Sequence, residues 1–75
     1  MSEQEFLDFL EKNILTGETF DMDTDLIEFR RWDSIAVVAF IAAMNTEYDL
    51  TLNPLEVDTV NTVRELYELV QEAEE

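Results

Sequence analysis

The sequence predicts an all-α fold: a four-helix bundle of three longer helices and one short helix, with a long first loop. Three observations carry that expectation. Helix-start residues stand at Ser2, Asp33, Asn53 and Thr62. After Ser2, Asp33 and Thr62 the apolar residues recur at the three-to-four spacing that lines one face of a helix. Residues 16–32, by contrast, show no sustained period. A chain of 75 residues holds one small domain, here residues 1–75.

Ser2 opens a Ser-x-x-Glu capping box with Glu5, in which each side chain satisfies an otherwise unpaired backbone N–H. Phe6, Leu7, Leu10 and Ile14 then share one helical face, with Asp8, Glu11 and Lys12 on the other. This helix is expected to stop near Leu15, before Thr16-Gly17. Residues 16–32 are rich in acids and threonine, with Phe20, Leu26, Ile27, Phe29 and Trp32 at irregular intervals. They read as a long connection pinned to the core by some of these side chains. Loops of more than about 12 residues are uncommon in small domains and are often functional.

Asp33 is a good N-cap for a second helix running from Ser34 to about Tyr48. Val37, Phe40, Ile41, Met44 and Tyr48 form its core stripe. The opposite face holds Ile35, Ala36, Ala39, Ala42, Ala43, Asn45 and Thr46, small and uncharged in a chain with 19 acidic residues. A solvated face is ordinarily charged, so this one is expected to touch a partner. Asn53, Pro54 and Glu56 open a short third helix, with Asn as cap and Pro at the first helical position. Thr62 and Glu65 make a second capping box. Val63, Leu66, Tyr67 and Val70 give the stripe of a last helix that frays into Gln71–Glu75.

Composition narrows the function. Four basic and 19 acidic residues leave a net charge of −15. That charge repels phosphate backbones and anionic lipid, so no nucleic acid and no membrane is expected as partner, whereas basic proteins suit it. The chain has no cysteine and no histidine, hence no thiol nucleophile, no imidazole base and no ordinary zinc site. It is not expected to be an enzyme. The single glycine cannot make a phosphate-cradling loop. Asp21, Asp23 and Asp25 copy the first ligand positions of a calcium-binding loop, but Leu26 stands where glycine belongs and Trp32 where the final acid belongs. No metal site is expected; the segment reads as a solvated acidic loop. The start lacks an export signal, and the longest apolar run, Ile35–Met44, falls far short of the roughly 20 residues that span a bilayer. A soluble, cytoplasmic monomer is the expectation.

The one segment that carries chemistry is Trp32-Asp33-Ser34-Ile35, where the long loop meets the uncharged helix. Ser34 falls in the first turn, where backbone N–H groups are unpaired and the helix dipole is positive. A phosphate esterified to its hydroxyl is stabilised there. With no base nearby, such a modification must be installed by another enzyme. Taken alone, however, Asp-Ser is a commonplace dipeptide, in which Asp33 caps the helix and Ser34 is merely tolerated.

Context extends that reading. The chain resembles the acyl carrier protein family, whose attachment motif Asp-Ser-Leu stands here as Asp33-Ser34-Ile35. The likeness covers nearly the whole chain. Asp23-Thr24-Asp25-Leu26 looks like the family's loop segment, whose leucine packs inward, and Glu47-Tyr48-Asp49 like the acidic and aromatic pair closing the second helix. Leu52, Val60 and Thr62-Val63 match the positions that flank the short third helix and open the fourth. Trp32 before the motif is similar to many stand-alone carriers outside fatty acid synthesis.

The resemblance implies a four-helix bundle of acyl-carrier type. Ser34 receives a 4′-phosphopantetheine arm from coenzyme A, transferred by a magnesium-dependent phosphopantetheinyl transferase, and Asp33 serves both cap and transferase recognition. The arm's thiol then holds an acyl or aminoacyl group as a thioester, delivered among loading and acyl-transferring enzymes. Fatty acid carriers display acids along the second helix. Here those positions hold Ala36, Ala39, Asn45 and Thr46, and only Glu47 keeps the charge. Docking through Ile35, Ala36, Ala39, Ala42 and Glu47 is therefore expected to be more apolar and less salt-sensitive, which suits a specialised biosynthetic pathway. Arg30 and Arg31 pair with the arm's phosphate or an acidic partner, or simply relieve local acidic repulsion.

Phe6, Phe9, Phe40 and Tyr67 fit core packing better than a pocket for a sequestered acyl chain. Glu72, Glu74 and Glu75 lie in the fraying terminus and serve solubility. The alternative function is a small acidic helical adaptor that binds through the alanine-rich face without a prosthetic group. Ser34→Ala separates the two, abolishing the carrier and sparing the adaptor.

Overall fold

The first helix, α1, spans Glu3–Asn13 in a computed structural model that describes residues 1–74. Ser2 caps it as expected: its Oγ accepts from the Glu5 N–H at 3.1 Å, and Glu5 Oε1 accepts from the Ser2 N–H at 3.4 Å. The helix ends at Asn13 rather than near Leu15. There the Leu15 N–H reaches back to the Leu10 carbonyl at 2.7 Å, which turns the Leu15 side chain fully into the core. Gly17 follows at φ +84°, a left-handed conformation that glycine adopts without a Cβ clash. The buried face centres on Phe6, Phe9 and Leu10, with Leu7 and Ile14 half-buried at its edges.

Helix α2 spans Ser34–Tyr48 and closes at Asp49, whose left-handed backbone (φ +55°) ends it. Its buried stripe is Ala36, Val37, Phe40 and Met44. Phe40 is the hub of the interior: Phe6, Phe9 and Trp32 meet its ring edge-on at centroid distances of 6.2, 5.8 and 5.9 Å, the geometry that ring quadrupoles favour. The four aromatics weighed as an acyl pocket therefore pack as core, with Tyr67 tilted on Phe6 at 5.4 Å.

Helix α3, Pro54–Thr59, is capped by Asn53, whose side chain accepts from the Leu55 N–H at 2.9 Å. Helix α4, Val63–Glu74, opens on the expected box: Thr62 Oγ1 accepts from the Glu65 N–H at 3.1 Å and Glu65 Oε1 from the Thr62 N–H at 3.2 Å. The fraying expected from Gln71 does not occur through Glu74. The Met1 amine lies 2.8 Å from Glu74 and 3.3 Å from the Gln71 side chain, and the Tyr67 hydroxyl donates to the Met1 carbonyl at 2.7 Å. Glu75, expected to aid solubility, lies outside the described residues.

The long connection between α1 and α2 is an organised strap. Met22 and Leu26 are buried, Phe20, Phe29 and Trp32 pack on the core's edge, and Ile27 stays exposed. A single 3-10 turn, Leu26–Glu28, is capped by Asp25. Asp25 and Thr62 form an isolated antiparallel bridge, and no strand is formed among the described residues. The fold is thus the expected all-helical bundle.

Candidate functional site

Ser34 is the first residue of α2 and is exposed. The elements on either side hold it in place. Trp32, two residues earlier, anchors the strap on Phe40. Asp33 is extended (φ −117°, ψ −171°), and its Oδ1 accepts from the Ala36 N–H at 2.9 Å while its carbonyl accepts from the Val37 N–H at 3.0 Å. That leaves the Ser34 and Ile35 N–H groups without partners among the described residues. The hydroxyl therefore stands at the positive end of a 15-residue helix, beside two free donors. No carboxylate or amine hydrogen-bonds to it among the described residues.

The surface around Ser34 is apolar. Ile35 is 78 % exposed and Val38 65 % exposed, and Ala39 and Ala42 complete the same face at helical spacing. Ala36 does not belong to it. It is only 8 % exposed, because its position lies on the edge of the core stripe next to Val37. Ala43 is likewise half-buried against the core. Val38 takes the place expected of Ala36; its i+3 offset from Ile35 was the available signal.

A hydroxyl that is exposed and set in an anion-favouring field suits a phosphodiester attachment. The family model for the phosphopantetheine attachment site matches residues 6–70. The chain belongs to that family. No curated protein and no solved structure shows a significant match. Members of the phosphopantetheine attachment family carry 4′-phosphopantetheine covalently and act as carriers rather than catalysts. This chain is therefore a phosphopantetheine-dependent carrier, whose partners include a phosphopantetheinyl transferase and acyl-handling enzymes.

The remaining residues that the sequence singles out lie at different distances from Ser34. Arg31 is tied to the strap: its Nη1 donates to the Thr16 carbonyl and its Nε lies 3.4 Å from Glu18. Arg30 is exposed and makes no ion pair among the described residues. Glu47 sits at the far end of α2, 3.6 Å from Lys12 of α1. Asp21 and Asp25 turn inward on their own backbone, accepting from the Asp23 N–H at 2.9 Å and the Ile27 N–H at 3.0 Å. No group of three acidic residues is arranged to hold a metal ion among the described residues. Nor is any described helix long and apolar enough to cross a membrane.

Proposed function

We propose that Ser34 is the attachment residue, and that this carrier presents an acyl or aminoacyl group to the enzymes of a specialised biosynthetic pathway. The observation that carries the proposal is the Ser34 hydroxyl, exposed in the first turn of α2 beside two unpartnered N–H groups. When bound, the arm supplies the thiol that holds the cargo as a thioester, which the chain itself lacks. The chain's own residues position and display. Asp33 fixes the first turn through the Ala36 N–H, and Trp32 holds the approach to it. Ser34 would supply the oxygen that takes the phosphopantetheinyl group from coenzyme A, its proton going to the transferase and adenosine 3′,5′-bisphosphate leaving. The apolar face formed by Ile35, Val38, Ala39 and Ala42 receives partner enzymes.

That face supports a pathway-specific role. Its affinity rests on apolar burial rather than charge pairing, so docking keeps its strength as ionic strength rises. The test is intact mass after incubation with coenzyme A, magnesium and a broad-specificity phosphopantetheinyl transferase. Wild type gains one phosphopantetheine and Ser34→Ala gains none. A gain on Ser34→Ala places the arm elsewhere and overturns the assignment.

A further inference from the structure

The surface beside Ser34 is grooved. Asn13 and Ile14 at the end of α1 face Ile35, Ala36 and Ala39 of α2 across an open groove of about 290 Å³, with Arg31 and Asp33 at its rim. Ser34 stands between two lining residues, Asp33 and Ile35. Resting on the reading that Ser34 carries the arm, we infer that this groove is the seat of the arm's proximal half. The phosphodiester lies toward Arg31, the geminal methyls lie over Ile14, Ile35 and Ala39, and the first amide donates to Asn13.

Each part of the groove suits that occupant. Arg31 lines it as the groove's one cation. A guanidinium has five N–H donors. The Thr16 carbonyl takes one from Nη1, and Glu18 lies at Nε. The outer donors are thus held at the rim and left open to an anion. Asp33 lines the groove too, but its Oδ1 is already engaged by the Ala36 N–H, and the α2 dipole offsets its charge. The floor is low because Ala36 and Ala39 are small, and Ile14 and Ile35 supply apolar walls. Asn13 Nδ2 donates to the Phe9 carbonyl at 3.1 Å, which orients the carboxamide and leaves Oδ1 to accept an amide N–H.

Depth is not required, because the occupant is tethered. An arm bonded to Ser34 samples the groove at an effective concentration on the order of millimolar, so weak contacts suffice to fill it. From Ser34 to Ala39 the helix rises only about 7 Å. The groove therefore holds the proximal half and leaves the thiol end free. Val38 and Ala42 do not line it, so a seated arm leaves that half of the docking face open.

The test uses ¹³C,¹⁵N-labelled protein loaded enzymatically from unlabelled coenzyme A. Intact mass first establishes that one arm is attached. Isotope-filtered NOE spectra then report which protein protons the arm touches. The seat predicts NOEs from the arm's geminal methyls to the methyls of Ile14, Ile35 and Ala39, and loss of those to Ile35 and Ala39 in Asn13→Phe, which fills the groove from the α1 side, outside the face that receives partner enzymes. Chemical-shift changes on loading confined to Asp33–Ile35, with no NOE to Asn13 or Ile14, would overturn the seat and leave the attachment intact. An unchanged mass overturns the attachment, and the seat with it.

Discussion

The Arg64 backbone N–H donates to the Met22 carbonyl at 2.8 Å, joining the start of α4 to the middle of the long strap. Three neighbouring amides complete the arrangement. Val63 donates to the Thr24 carbonyl at 3.0 Å, Glu65 to Thr62 Oγ1 at 3.1 Å and Thr62 to Glu65 Oε1 at 3.2 Å. All four N–H groups that open a helix are therefore satisfied, two of them by the strap. In return the Leu26 N–H donates to the Asn61 carbonyl at 2.7 Å. Arg64 reinforces the junction from outside, its guanidinium 3.3 Å from Asp23 and 3.6 Å from Glu3. The strap that delivers Trp32, Asp33 and Ser34 is thus built on α4.

Leu26 is the apolar anchor of that junction, with no exposed surface. Leu26→Ala should lower stability by about 3 kcal/mol, the sum of lost burial and a residual cavity, a large fraction for a domain this small. Urea denaturation measures it. The Val63 and Arg64 amides should also exchange faster than those in the middle of α2. A loss below about 1 kcal/mol would mean that the strap is not part of the cooperative core.

Asp33 caps α2, we propose that its carboxylate also serves transferase recognition, and two substitutions separate the two roles. Asp33→Ala removes the bond from the Ala36 N–H and should cost about 1 kcal/mol. Asp33→Asn keeps an acceptor and should hold stability within a few tenths of a kcal/mol. If the transferase recognises the carboxylate, Asn slows modification as Ala does. If Asp33 acts only by capping, Asn restores the rate.

Much of this was legible in the sequence, for local reasons. Ser2, Asp33, Asn53 and Thr62 each cap the helix they begin, because a side-chain acceptor within three residues settles the matter without the rest of the fold. Residues that depend on distant partners were harder. Met22 sits among acids in the sequence and is buried because its carbonyl serves α4. Ala36 is on the core's edge while Val38 faces outward, although size alone suggests the reverse; the rotation of α2 is set by Phe40 meeting three rings. The groove next to Ser34 needs Asn13 and Ile14, which are about 20 residues away in the chain and are adjacent only once α1 packs on α2.

Repulsion should limit stability at low salt. The net charge is −15 and the longest dimension 28 Å. At 0.01 M ionic strength the Debye length is about 30 Å, so charges across the whole molecule interact; at 0.15 M it is about 8 Å. The opposing attractions are exposed pairs such as Lys12–Glu47 and Arg31–Glu18, worth at most about 1 kcal/mol each. The melting temperature should therefore rise between those two ionic strengths. A flat or falling value would show that repulsion does not limit this fold.

Tyr48 should titrate above the ordinary tyrosine range. Partial burial of its ring is the first cause, followed by the negative charges of Glu5, Glu47 and Glu74. Because the folded-state pKa is raised, the associated stability is complete below the unfolded value near 10 and is lost as pH rises through the folded pKa. Ring-carbon chemical shifts followed into alkaline pH measure it. Glu5→Gln should bring the midpoint down part of the way, and an unchanged midpoint would remove Glu5 from the causes.

The central claim is that Ser34 carries the arm. Its most direct test is peptide-level mass spectrometry of the loaded protein, since Ser2 and Ser34 are the serines of the chain. The phosphopantetheine mass should reside on the fragment containing Trp32-Asp33-Ser34-Ile35 and be localised to Ser34. Finding it on any other residue, or finding no modified fragment in a folded sample exposed to several active transferases, would contradict the account.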